Sequence, residues 1–341
     1  MLNVEYILEN LVKCNTIKDK ENKKILDYIE KELILMGFQT EKKDKVLIMS
    51  NKKFQTIGFL GHTDTVEATS GWEYEKFKLT KVDNKLYGLG VCDMKAGIAA
   101  IIAAISQINF ENLNKGIKVY FSYDEEIGFS GIKDIMEYEK EFPKKMIIGE
   151  PTNNEIIVGS KGLMEYKISF AGIKTHSSTP DRGKNAIMSA ISFINELNEF
   201  YINEIRKIKD LNFEIPYTTM NIGKINGGTE INSVPDFCGF LLDFRTISKE
   251  IESKIEEKIE VLQKKYVANI KQLNKISAFF NKSNLSNKTC NFITEASFIQ
   301  SNCIILGAGP VTAHEINEYI SINSLYKLVE QYKDFILEEC K

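Results

Sequence analysis

The sequence predicts an α/β fold: a mostly parallel sheet covered by helices, with a second, α+β domain of ferredoxin-like type inserted into it. Three observations predict this. Short apolar runs alternate with helical patterns through the first half and return near the C-terminus, the rhythm of βαβ units. The middle runs β-α-β-β-α-β instead, the split unit of ferredoxin-like domains. The length of 341 residues exceeds what one hydrophobic core ordinarily fills, so two domains are expected.

Residues 3–13 and 19–36 are read as helices, with Ile25, Ile29, Leu33 and Leu35 spaced for one apolar face. Gln55 to Leu60 is a short strand running into Gly61. An Ala/Ile-rich buried helix spans 94–108, Lys118 to Tyr123 is a strand that leads into acids, and 130–140 is a helix. Met146 to Ile148 is another strand, Cys303 to Leu306 repeats the pattern, and 322–340 closes the chain as a helix. In the middle, 164–172, 217–226, 235–245 and 268–274 are strands, and 184–203 and 249–266 are helices. The expected division is therefore a first domain of residues 1–165 and 282–341 and an inserted domain of 166–281. Hinges are expected near Lys161–Gly162 and in the polar stretch NKSNLSNKT (281–289).

Composition removes several function classes. A hydrophobic content of 43% excludes general disorder. Lys and Arg number 44 against 47 acids, net −3, which argues against nucleic acid or an anionic membrane as partner. The longest apolar stretch, around Gly97 to Ile105, falls well short of the roughly 20 residues that a spanning helix needs. The first ten residues carry Glu5 and no basic patch, unlike a signal peptide. The six cysteines (Cys14, Cys92, Cys238, Cys290, Cys303, Cys340) form no C-x-x-C pair, so a disulfide framework or thiolate zinc site is not expected and a reducing cytoplasm is.

Two residue types are scarce. The histidines are His62, His176 and His314, and the arginines are Arg182, Arg206 and Arg245. Candidate ligands cluster at structural boundaries: His62 and Asp64 after one strand, Asp93 before a helix, Glu125 and Glu126 after a second strand, and Glu150 after a third. Taken singly, each has an ordinary explanation. His-x-Asp is a common local hydrogen bond, Glu-Glu is usually a solvated turn, and Asp93 or Glu150 could cap a helix. Together, in a parallel sheet, they would converge at the carboxyl edge of the strands, where ligands bind. Five carboxylates in one crevice raise one another's pKa unless cations offset them. Imidazole in the set favours a transition metal over calcium or magnesium. Three carboxylates and two imidazoles suit a pair of zinc ions that share a bridging carboxylate.

The segments GHTDTV (61–66), DNKLYGLGVCDMKAG (83–97), DEE (124–126), IIGEPT (147–152), HSSTPDRGKNAI (176–187) and AHEINEYI (313–320) carry a resemblance to the zinc-dependent aminoacylase and carboxypeptidase family, in its order and approximate spacing. Within that family the acetylornithine deacetylases are most similar, with the succinyl-diaminopimelate desuccinylases as a sister branch. The resemblance implies a di-metal catalytic domain with an inserted lid and dimerisation domain, and two divalent ions: zinc, with cobalt or manganese as alternatives. It implies His62 and Glu150 as ligands of the first metal, Glu126 and His314 as ligands of the second, and Asp93 as the bridge. Asp64 would orient His62. Glu125 would be the general base for a water held between the metals. His176 would stabilise the oxyanion, in the active site of a partner copy.

The implied reaction is deacetylation of N-acetylornithine in arginine biosynthesis. Desuccinylation of N-succinyl-diaminopimelate, or cleavage of another acyl-amino acid or dipeptide, is the alternative. The expected partners are a small acylated amino acid and a second copy of the chain. Arg245, in LLDFR, resembles the residue that takes the substrate carboxylate, with a bidentate fork that lysine cannot copy. Asn232, in GGTEINSVP, and Arg182 are further candidate substrate contacts. Arg206 is expected to be a solvated surface residue, Trp72 a packing residue, and Cys92 a packed thiol. Gly88-x-Gly90 superficially suggests a phosphate loop, but position 93 is Asp and the phosphate-binding pattern is not continued.

Overall fold

The computed structural model describes residues 2–52, 54–281, 284–299 and 302–341. Residues 282 and 283 of the expected 281–289 hinge, and so the expected boundary at 282, lie outside them. The chain forms two compact units. One comprises Met1–Val158, Asn281–Asn287 and Thr294–Lys341, the other Gly159–Phe280 and Lys288–Ile293.

The first unit opens with α1 (Val4–Val12) and α2 (Asn22–Ile34). The side chain of Asn3 caps α1 by accepting from the amides of Glu5 and Tyr6. A hairpin of β1 (Gln39–Lys43) and β2 (Leu47–Ser50) follows, then β3 (Gln55–His62) and the short β4 (Thr80–Val82) and β5 (Lys85–Tyr87). Helix α3 (Ala96–Ile105) has every residue buried, as its unbroken apolar sequence requires. It starts two residues later than the sequence predicts, because Asp93 and Met94 have non-helical backbone angles and Asp93 therefore does not cap it. Next come β6 (Gly116–Ser122), α4 (Ser130–Tyr138), β7 (Lys145–Ile148) and β8 (Ile157–Ser160), along which the chain leaves this unit.

The second unit contains β9 (Gly162–Ala171), α5 (Ala186–Phe200), β10 (Thr219–Gly227), β11 (Phe237–Thr246), α6 (Lys249–Tyr266), β12 (Asn269–Ile276), β13 (Phe279–Phe280) and β14 (Lys288–Cys290). Its sheet runs β10-β11-β9-β12, antiparallel throughout. Alternate residues Ile168, Phe170, Phe240, Leu242 and Phe244 face the helices and pack with Phe193, Leu197, Ile251 and Ile255. Two helices on one face of a β-α-β-β-α-β sheet form the ferredoxin-like arrangement.

The chain then completes the first unit with β15 (Asn302–Ile305), β16 (Tyr319–Ser321) and α7 (Ile322–Glu339). Helix α7 buries Leu325, Leu328, Val329, Tyr332 and Ile336, a single face at helical spacing. The central sheet is ordered β1-β2-β6-β3-β7-β15-β8. It is parallel from β6 through β3 and β7 to β15 and antiparallel at its margins. The fold is thus mixed α/β, and four parallel strands end at the same edge. No described helix is long and apolar enough to cross a membrane.

Candidate metal centre

Three of the four parallel strands deliver candidate ligands at their carboxyl ends. His62 is the last residue of β3 and lies opposite Ser122, the last of β6. Glu125 and Glu126 follow β6, and Glu150 follows β7, whose Ile148 pairs with Leu60. After β15 the chain reaches His314, whose φ of 64° places it in the left-handed region. Asp93 arrives from the loop before α3, which Gly90 turns with a φ of 72°.

These donors form two trios. His62, Asp93 and Glu150 make one, and Asp93, Glu126 and His314 the other, with the donor atoms of each trio all within 4.8 Å of one another. Asp93 belongs to both. Its Oδ1 lies 3.0 Å from His62 Nε2, and its Oδ2 lies 3.5 Å from His314 Nε2. His62 Nε2 is 3.7 Å from Glu150, and His314 Nε2 is 3.0 Å from Glu126. On its far side, the His62 ring places Nδ1 3.3 Å from Asp64 Oδ1 and 3.1 Å from the Asp64 carbonyl.

The electrostatics follow from packing charges in a dry place. Burial alone would lower the His62 imidazole, but Glu150, Asp64 and Asp93 raise it well above its ordinary value. Hydrogen bonds with Asp93 and Glu126 raise His314 to about 10. Burial would raise Asp93, yet hydrogen bonds with His314 and His62 hold it well below the carboxylate range. Burial pushes Glu125 well above that range, with His62 opposing and Asp93, Glu295 and Glu126 adding to it. Burial pushes Glu150 up too, with Asp93 reinforcing the effect.

The residues fit a pair of divalent ions. Two imidazoles and three carboxylates are transition-metal donors, and one carboxylate offers a separate oxygen to each trio. Glu126 Oε1 is buried with no hydrogen-bond partner among the described residues, as a ligand atom would be before its ion is present. Cys92 is buried and belongs to neither trio. Its thiol donates to the Pro310 carbonyl at 3.5 Å, and burial raises its pKa far above the ordinary thiol value.

Two residues of this centre escape a reading of the sequence. Glu295 is fully buried, and burial pushes it up to about 7, with His62 opposing. Glu318 is 2% exposed and accepts from the backbone amides of Gly90, Cys92 and Asp93 at 2.8, 2.6 and 3.0 Å. The one signal for Glu318 is an acid four residues after His314, just before the chain turns apolar. Glu295 lies in no motif.

The remaining candidates lie in the second unit. His176 is exposed, and its Nδ1 accepts the Ser178 amide at 3.2 Å, which leaves Nε2 to carry the ring proton as a donor. Asn232 is beside it, because His176 bridges to Ser233 and the Ser177 amide donates to the Asn232 carbonyl at 3.0 Å. Arg182 is exposed in the turn Pro180–Arg182, and its amide donates to the Thr179 carbonyl. Arg245 sits near the end of β11, half-exposed, with Nε 3.2 Å from Asp243 Oδ1. Arg206 is exposed and lies over the Tyr217 ring, 5.1 Å from its centroid. In the first unit, Trp72 is half-buried.

Comparison with known proteins gives the chain's family and fold. The model of peptidase family M20/M25/M40 matches residues 58–338. The chain is 33% identical over 338 residues to an acetylornithine deacetylase of Buchnera aphidicola subsp. Acyrthosiphon pisum, covering 90% of this chain and 88% of that protein. An aminopeptidase of Bacillus cereus has a TM-score of 0.81 at 22% identity, covering 100% of both chains. A Bacillus subtilis protein described as a dinuclear metal binding peptidase has a TM-score of 0.73 at 14% identity, covering 98% of both chains. At these identities the two structural likenesses speak for the fold.

Proposed function

Because the chain belongs to peptidase family M20/M25/M40 and is a metallohydrolase acting on amides, we propose that it removes the acetyl group from the α-nitrogen of N-acetylornithine. The observation that carries the metal chemistry is the Asp93 carboxylate, with one oxygen toward His62 and the other toward His314. The substrate rests on the similarity to acetylornithine deacetylases over most of the chain. His62, Asp93 and Glu150 would hold one divalent ion, and Asp93, Glu126 and His314 would hold a second. Zinc suits these donors, and cobalt or manganese can replace it. Bound there, the ions supply Lewis-acid polarisation of the amide carbonyl and a lowered pKa for water.

The chain's own groups do the rest. Glu125, buried beside both trios, takes the proton of the attacking water and passes it to the leaving amine. Asp64 fixes the His62 ring so that Nε2 points toward Asp93 and Glu150. The Nε2–H of His176 is a ready hydrogen-bond donor for the oxyanion, supplied across a homodimer. Arg245, Asn232 and Arg182 recognise the substrate. The catalytic work belongs to the first unit, expected from the sequence over 1–165 and 282–341, and the second unit, expected over 166–281, acts as lid and dimerisation domain. The reaction would serve arginine biosynthesis in the cytoplasm, where the six cysteines stay as thiols.

The test is to reconstitute the protein with zinc or cobalt and compare kcat/KM for N-acetylornithine, N-succinyl-diaminopimelate and several dipeptides. The highest value is expected for N-acetylornithine. A higher value for the succinyl substrate or a dipeptide would overturn the substrate assignment.

A further inference from the structure

Glu318 occupies an unusual place for a carboxylate. It is buried, and among the described residues no lysine, arginine or histidine hydrogen-bonds to it. Its two oxygens instead accept three backbone amides of one loop, Gly90 at Oε2 and Cys92 and Asp93 at Oε1. Its own carbonyl accepts a fourth, from Gly88, at 3.2 Å. Carboxylates that accept several amides hold a loop tightly, because each bond is charge-assisted and little water competes inside.

The residue also belongs to the segment that carries His314. That segment is closed on itself: the Thr312 hydroxyl donates to the Tyr319 carbonyl at 2.7 Å and accepts the Tyr319 amide at 2.9 Å. The Thr312 amide reaches Cys92 Sγ at 3.5 Å. Two stretches 225 residues apart in the chain are therefore stitched together, one bearing Asp93 and the other His314.

The two trios depend on this stitch unequally. His62 and Glu150 stand at the ends of β3 and β7, neighbouring strands with a continuous ladder, and the Gly149 amide donates to the Leu60 carbonyl at 3.0 Å. His314 has no strand directly beneath it. Its side chain is 53% exposed, its backbone is left-handed, and among the described residues its ring is paired with Asp93 and Glu126. Without the stitch, His314 would be free to leave those acids, whereas His62 and Glu150 would stay in place.

Resting on the reading of the two trios as metal sites, we propose that Glu318 is a positioning residue that holds His314 against Asp93 and so sets the affinity of the second ion position more strongly than that of the first, which shares Asp93 but keeps His62 and Glu150 on their strands. A glutamine in its place keeps the shape but turns an NH2 group toward amide donors, which breaks part of the stitch without opening a cavity.

The test is a titration of metal-free protein with Co2+, followed by its visible absorption, on wild type and Glu318→Gln, with thermal unfolding of the metal-free forms alongside. Wild type is expected to bind two equivalents. Glu318→Gln is expected to bind the first with an affinity within about threefold of wild type and the second about 10–100-fold more weakly. Equal affinities for both equivalents in wild type and variant, or equal weakening of both, would overturn the proposal. A wild type that binds fewer than two equivalents would instead overturn the metal reading beneath it. Should Glu318→Gln fail to fold, Thr312→Val cuts the other tie of the same segment and carries the same expectation. Undiminished second-site binding in a folded Thr312→Val would then overturn the proposal.

Discussion

Asp64 stands behind His62 and ties it to a second strand end: Oδ1 lies 3.3 Å from the ring Nδ1, and Oδ2 accepts the Glu126 amide at 3.2 Å. One carboxylate thus sets a ring in the first trio and the backbone of a residue in the second. Carboxylates behind a metal-binding histidine fix its tautomer and raise its basicity. Asp64→Asn is expected to weaken metal binding about 10–100-fold. Competition against a chromogenic chelator measures this, and unchanged affinity would show that Asp64 only fills space.

Glu125 belongs to neither trio, yet it is buried beside both and held well above the ordinary carboxyl range, first by burial. Glu125→Gln should keep two metal equivalents and lose about 10²–10⁴-fold in kcat, with KM little changed. Metal analysis and steady-state kinetics on the same sample decide the matter. Full turnover in a metal-loaded variant would remove the residue from the mechanism.

Glu295 makes stability depend on pH in a defined direction. Its folded pKa, raised by burial to about 7, exceeds that of an ordinary glutamate, so the folded state holds a proton that the unfolded chain releases. Its contribution is present below pH about 4.5 and is lost as pH rises through 7. Urea denaturation of metal-free protein from pH 5 to 8 should therefore show wild type losing up to about 3 kcal/mol more than Glu295→Gln. Parallel curves for the two proteins would mean that Glu295 is not the proton holder.

Gly97 allows α3 to lie directly on the strand end that presents Glu150. A Cβ at this position would meet the Gly149 carbonyl oxygen at 2.2 Å and Gly149 Cα at 3.1 Å, both backbone atoms with nowhere to go. Gly97→Ala is expected to destabilise the protein by about 1–3 kcal/mol and to weaken metal binding by displacing Glu150. Thermal unfolding with and without chelator tests both effects. A variant as stable as wild type would show that the helix can shift freely.

Much of this architecture is legible from periodicity. The helices at both ends, the strands that precede His62, Glu125 and Glu150, and the β-α-β-β-α-β order of the second unit all follow from apolar spacing. The polar hairpin strand Gln39–Lys43 does not, because all but one of its residues are exposed and none is apolar. The sequence places the start of α3 two residues early because Asp93-Met94-Lys95 has helical composition, whereas the backbone there follows the placement of a side chain between two histidines. His62, Asp93, the pair Glu125-Glu126 and Glu150 stand out because imidazoles are rare in this chain and the acids lie at element boundaries, whereas the choice of Glu126 within its pair and of His314 over His176 comes from the family resemblance. Glu318 and Glu295 cannot, because their positions are defined by backbone amides and by burial, which leave no spacing rule in the sequence.

The sharing of Asp93 has a bearing on how the protein is made. A ribosome lays down His62, Asp93, Glu126 and Glu150 before any of the second unit exists, and His314 after all of it. A nascent chain can therefore own one complete trio while the other still lacks its imidazole. Translation separates in time what the folded protein joins through a single carboxylate.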